Sequence, residues 1–281
     1  MNAAIKKQLE IKAVNIRKNI IEAVFCAKSG HPGGSLSIAD VVTYLYFSEM
    51  KIDPKNIGNP DRDRFVLSKG HCTPALYSAL ALRGYFPLDE IKNFRKLGHI
   101  LQGHPDMKLV PGVDMSTGSL GQGISAACGM ALSAKMSDKN YRVYAVMGDG
   151  ELEEGQVWEA AMFAAQYKLD NLVAWVDFNG LQIDGKLTDV MSPLPIASKF
   201  REFGWNAIEI NAHDFDAIEA AYGLAKTFKG KPTVIVASGI KGKGVSFMEN
   251  NASWHGSAPN AEQYEQAIKE LNAVLADLEV E

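Results

Sequence analysis

The chain has 281 residues, 47% of them hydrophobic, enough for a large core in one large domain or two small ones. Its formal net charge of −4 offers no attraction for nucleic acid or an anionic membrane, so an anionic ligand must be held by local groups. Cys26, Cys72 and Cys128 are far apart without C-x-x-C spacing, and charges interrupt the N-terminal segment; together these argue against a zinc motif, a disulfide framework, a signal peptide and a membrane anchor, and the expectation is a cytoplasmic protein with reduced thiols.

Residues 3–28 keep apolar positions at helical spacing (Leu9, Ala13, Ile16, Ile20, Ala23, Val24) until Ser29-Gly30 breaks the pattern. A second helix is predicted over about 37–49, a short buried strand at 64–68, and a helix over about 73–83. After a glycine-rich stretch at 112–123, residues 121–136 are small and helix-compatible. Four strands follow, 142–147 (RVYAVM), 172–177 (LVAWVD), 205–210 (WNAIEI) and 233–238 (TVIVAS), separated by helices at about 155–168, 194–202 and 214–228. Near-continuous apolar strands alternating with helices predict an α/β fold: a doubly wound, mostly parallel sheet covered by helices on both faces, with ligands at the carboxyl ends of the strands. Residues 1–258 read as one domain and 259–281 as a C-terminal helix.

Two loops leave the predicted sheet at the same edge. One is Gly148-Asp149-Gly150 after the RVYAVM strand; the other begins at Asn179 after LVAWVD and runs FNGLQIDG. Exposed glycine amides and the N-terminus of the following helix attract anions, while Asp and Asn oxygens are ligands that magnesium prefers. Two tight turns would use the same residues. The tripeptide Gly-His-Pro occurs twice, at His31 (SGHPGGSL) and His104 (QGHPD). Proline restricts the residue before it to extended backbone, so each histidine is aimed in a definite direction, although either alone also fits an ordinary turn.

The words SGHPGG, SKGH, GHPD, STGSLGQG, GDGELEEGQVWEA, FNGLQIDG and KGKGVSFMENNASWHG resemble, in this order and across nearly the whole chain, those of transketolases. One departure is Phe178 before Asn179, where the family often has a second Asn. The resemblance implies thiamine diphosphate held through Mg2+, or another divalent cation such as Ca2+ or Mn2+, on the side chains of Asp149 and Asn179 and the carbonyl of Leu181. It further implies that Gly148 and Gly150 approach the diphosphate, with Lys241 nearby, that Ile183 packs on the thiazolium, and that Gly118 and Leu120 lie near the aminopyrimidine. His31, His71, His104 and His255 match histidines around the reactive carbon, with His31, His104 and His255 expected to bind sugar hydroxyls and move protons. Glu154 and Glu159 match acidic residues of the family's dimer contact and proton network. His99 and His213 match nothing and read as surface or capping residues.

All the matched words belong to the diphosphate-binding half of a transketolase. The resemblance therefore implies the N-terminal subunit of a split transketolase, active with a separate C-terminal subunit that carries the pyrimidine-binding domain, in a two-plus-two heterotetramer. The implied reaction is ketol transfer, in which a two-carbon unit passes from a ketose to an aldose. Alternatives are another thiamine diphosphate enzyme, acting on a different ketose or making a deoxyxylulose phosphate, and a non-catalytic Mg-diphosphate binding module.

Overall fold

In the sheet strands, side chains alternate between two buried faces. Tyr144 and Val146 join one apolar cluster, Val143, Ala145 and Met147 the other, and every one of them is buried. That pattern requires a sheet covered on both sides. The structure, a computed structural model describing residues 1–280, has this form. Strands β1 (Arg64–Leu67), β2 (Val143–Gly148), β3 (Leu172–Phe178), β6 (Asn206–Asn211) and β7 (Thr233–Ser238) form one parallel sheet in the order β1-β2-β3-β7-β6. A two-residue-per-strand hairpin, β4 (Leu181–Gln182) and β5 (Gly185–Lys186), stands apart at the carboxyl edge.

Helices α1 (Ala3–Ala27), α2 (Pro32–Ser37), α3 (Ala39–Tyr44), α4 (Thr73–Arg83), α9 (Phe215–Thr227) and α10 (Ala261–Val280) contribute to one face's core, which includes Tyr77, Tyr144, Trp175 and Tyr222. Helices α5 (Gln122–Met136), α6 (Gly155–Gln166) and α8 (Ile196–Glu202) cover the other. The short α7 (Leu187–Val190) follows the hairpin. The C-terminal helix docks on α1 and buries Ala267 and Leu271 in the same core. Burial of a side chain the size of Leu271 contributes roughly 1.5–3 kcal/mol, and the methyl of Ala267 less than about 1 kcal/mol.

The predicted helix over 37–49 is broken. Its chain runs as α2, then α3, then a wide turn over Leu45–Glu49. The first break sits at Ile38, shared as the cap of both helices. It lets α2 begin directly at Pro32, whose fixed backbone suits a first helical position and leaves His31 as the N-cap. Among the described residues no helix is long and apolar enough to cross a membrane, and all three cysteines are free thiols.

Candidate active site

The carboxyl ends of β1, β2, β3 and β7 surround a cavity of about 330 Å³. Every predicted site residue except Glu154 and Glu159 lines it: His31, His71, His104, Gly118, Leu120, Gly148, Asp149, Gly150, Asn179, Leu181, Ile183, Lys241 and His255. Glu154 is the exposed residue that caps the N-terminus of α6, outside the cavity lining, and Glu159 is exposed on the same helix.

Asp149 is almost fully buried, and its carboxylate accepts only backbone N–H bonds, from Gly150 at 2.9 Å and Gly180 at 2.7 Å. The nearby ammonium of Lys69 is committed elsewhere, 2.7 Å from Asp177 Oδ2. Burial, and then the charge of Asp177, therefore push Asp149 up to about 6. Asp177 also accepts from the Ser37 hydroxyl and, at 2.9 Å, from Asn179 Nδ2. That last bond fixes the Asn179 amide with its nitrogen turned inward and its oxygen as the available acceptor, which takes the Leu181 N–H at 3.1 Å. The Leu181 carbonyl accepts from Lys241 Nζ at 3.0 Å.

Lys241 Nζ also lies 3.0 Å from His255 Nδ1. The ammonium donates there, which places the imidazole proton on Nε2. Burial first, then the neighbouring Lys69, lower Lys241 to about 8. The rings of His31, His71 and His255 stand 5.1–5.4 Å apart between centroids. Burial and then nearby cations lower His31 to about 4 and His255 to about 3, and His71 falls well below its ordinary value. His104 is lowered by burial and by Arg95. All four are neutral at pH 7, in a pocket whose cations are Lys69 and Lys241 and whose carboxylates are Asp149 and Glu151.

The matching family model describes the thiamine diphosphate binding domain of transketolase and covers residues 8–274. The chain belongs to the transketolase family. A 6-deoxy-6-sulfo-D-fructose transketolase subunit of a Clostridium species is 48% identical, the match covering 94% of this chain and 96% of that one. An apulose-4-phosphate transketolase subunit from Phocaeicola vulgatus is 43% identical, the match covering 97% of both. Against the crystal structure of transketolase from Campylobacter jejuni the TM-score is 0.89 at 32% identity, covering 99% of this chain but 46% of that one. This transketolase chain thus corresponds to the N-terminal subunit of a split enzyme, matching end to end with relatives that are themselves subunits.

The pocket fits the family's cofactor on three structural observations. Among the described residues the buried carboxylate of Asp149 has no salt-bridge partner. An amide oxygen, of Asn179, and a carbonyl, of Leu181, add hard-oxygen donors of the kind magnesium takes. Finally, a Cβ added at Gly148 would meet no protein atom closer than 3.9 Å, so packing does not demand a glycine there and its missing side chain keeps the cavity open.

Sequence reasoning passed over Lys69, Asp177 and Glu151. Glu151 is buried and accepts from Ser68 Oγ and from the N–H groups of Gly121 and Gly148, at 2.8 and 3.0 Å, tying β1, the start of α5 and the Gly148 turn together. The SKGH word and the final Asp of LVAWVD contained two of these residues. Only their pairing across the sheet reveals the role.

Proposed function

We propose that this subunit holds the diphosphate of thiamine diphosphate through a divalent cation, Mg2+ by donor chemistry and otherwise Ca2+ or Mn2+, bound to Asp149, Asn179 and the Leu181 carbonyl. When bound, the cofactor supplies the electron sink needed to break and remake a C–C bond beside a carbonyl. Lys241, with two N–H bonds made inside the protein, keeps a third for a diphosphate oxygen. Ile183, 68% exposed in the cavity lining, offers an apolar surface for the thiazolium to cover, and Gly118 and Leu120, also in the lining, would meet the aminopyrimidine.

The observation that carries the catalytic reading is the cluster of neutral imidazoles beside this cradle. A binding module for Mg-diphosphate needs no such groups, whereas ketol transfer needs donors and acceptors at sugar hydroxyls. His31, His104 and His255 bind those hydroxyls and exchange protons with them, His255 donating through Nε2. Negative charge arriving with the ligand offsets the cations that depress these imidazoles and makes proton acceptance easier.

The two relatives that are themselves subunits are named for ketoses that differ in their anionic group, a sulfonate in one and a phosphate in the other, while their identity to this chain is similar. The present chain accordingly handles the shared two-carbon end, and a C-terminal subunit with the pyrimidine-binding domain reads the distal anion. The assembly has two copies of each, in the cytoplasm. The test is a panel of phosphorylated and sulfonated ketose donors with the reconstituted pair. His104→Ala is expected to lower turnover on the order of 10²-fold for every donor, and exchange of the partner to change the preferred anion. Loss confined to one class of donor would move His104 to the distal end and refute the assignment.

A further inference from the structure

His213, Asp40 and Arg17 form a largely buried network outside the lining of that cavity, with side chains 11%, 6% and 8% exposed. His213 Nδ1 stands 2.7 Å from Asp40 Oδ2, and its Nε2 accepts the Ile240 N–H at 2.9 Å. The backbone N–H fixes the tautomer, because a proton on Nε2 would face another donor; the ring is neutral with its proton on Nδ1, donated to Asp40. Arg17 pairs with the same Asp40 oxygen and reaches the Lys243 carbonyl through Nε at 3.1 Å. Burial alone would raise Asp40, but Arg17 and His213 outweigh it and hold the carboxyl at about 2.

Both ends of the segment 240–243 are therefore gripped by one network, and Lys241 lies between the grips. We infer that His213 is a positioning residue for Lys241, setting through the Ile240 N–H where the ammonium meets the Leu181 carbonyl, His255 Nδ1 and a bound diphosphate. Two further bonds hold the segment, Gly242 N–H to the Gly33 carbonyl and Asn250 N–H to the Lys241 carbonyl, both at 2.9 Å. Loss of the histidine contact thus displaces the ammonium without releasing the loop. The glycines leave little slack: a Cβ at Gly239 would stand 3.0 Å from Ala212 Cβ, and at Gly242 it would strike the Met248 carbonyl. The inference rests on the reading that Lys241 serves the diphosphate.

His213→Gln keeps an acceptor at the position of Nε2, while His213→Asn keeps a polar group toward Asp40 and leaves the Ile240 N–H unbonded. Calorimetry of Mg2+ with inorganic pyrophosphate on the full chain is expected to show affinity about tenfold weaker for His213→Asn and within about twofold of wild type for His213→Gln. In a Lys241→Ala background the Asn substitution should have no further effect. The His255 Nδ1 resonance reads the Lys241 contact without any ligand; it is expected to shift in His213→Asn and Lys241→Ala and to stay in place in His213→Gln. Equal behaviour of the Asn and Gln variants in both measurements, or an Asn effect that persists undiminished without Lys241, would overturn the inference. Unchanged pyrophosphate affinity in Lys241→Ala would instead refute the diphosphate reading, while the resonance still decides the positioning role.

Discussion

Without magnesium or cofactor, Asp149 makes the chain less stable as pH rises. Its carboxyl lies at about 6 in the folded protein against 3.8 for an ordinary aspartate, because it is buried, faces Asp177 and has only backbone partners. The folded state then holds a proton that the unfolded chain has released, so the contribution is fully present below about pH 4 and lost as pH rises through about 6. A displacement of that size is worth about 3 kcal/mol. Asp149→Asn cannot titrate, and its amide nitrogen, a donor, must face one of the two backbone N–H groups, a fixed cost of about 1–2 kcal/mol at every pH. The difference in stability between wild type and variant therefore changes by about 2–3 kcal/mol between pH 4 and pH 7, in favour of the variant at the higher pH. Urea unfolding in the presence of EDTA measures it. Saturating Mg2+ and thiamine diphosphate should reverse the trend for wild type, since the bound cation requires the ionised carboxylate, and should do nothing comparable for Asn. Parallel wild-type and variant profiles in EDTA would refute the argument that Asp149 is an uncompensated buried charge.

Other substitutions separate stability from binding. Lys69→Met strands the fully buried Asp177 carboxylate and is expected to cost about 3–5 kcal/mol in urea unfolding; a cost below about 1 kcal/mol would show that the pair is dispensable. Gly148→Ala adds a methyl group that meets no protein atom closer than 3.9 Å, so the midpoint of unfolding should barely move while pyrophosphate affinity in the presence of Mg2+ falls, as calorimetry would show. Leu271→Ala removes the side chain that docks α10 on α1 and should destabilise by about 2–5 kcal/mol without altering that affinity.

The strands of the sheet were legible because a parallel strand buried on both faces is a nearly unbroken apolar run. TVIVAS coincides with β7, and RVYAVM and LVAWVD fall within a residue of β2 and β3. Strand order was not, since periodicity cannot say that β7 inserts between β3 and β6. The proposed metal donors and the Gly-His-Pro histidines were readable as short words in loops. Lys69 and Asp177 lie 108 positions apart and meet only when β1 and β3 flank β2, so no local pattern announces their ion pair. His213 read as a surface or capping residue for the same reason: its partners Asp40 and Ile240 come from distant segments. The hairpin at 181–186 is too short to show alternation, and Ile38 interrupts a helical pattern that its own sequence would continue.

Turnover with and without a second polypeptide tests the half-enzyme reading most directly. The purified chain, given Mg2+, thiamine diphosphate, a ketose donor and an aldose acceptor, is expected to produce no new ketose. Addition of the C-terminal subunit of a split transketolase should produce it, at a rate that saturates when the two chains are equal in number and that Asp149→Ala abolishes. Robust ketol transfer by the purified chain alone would contradict the account.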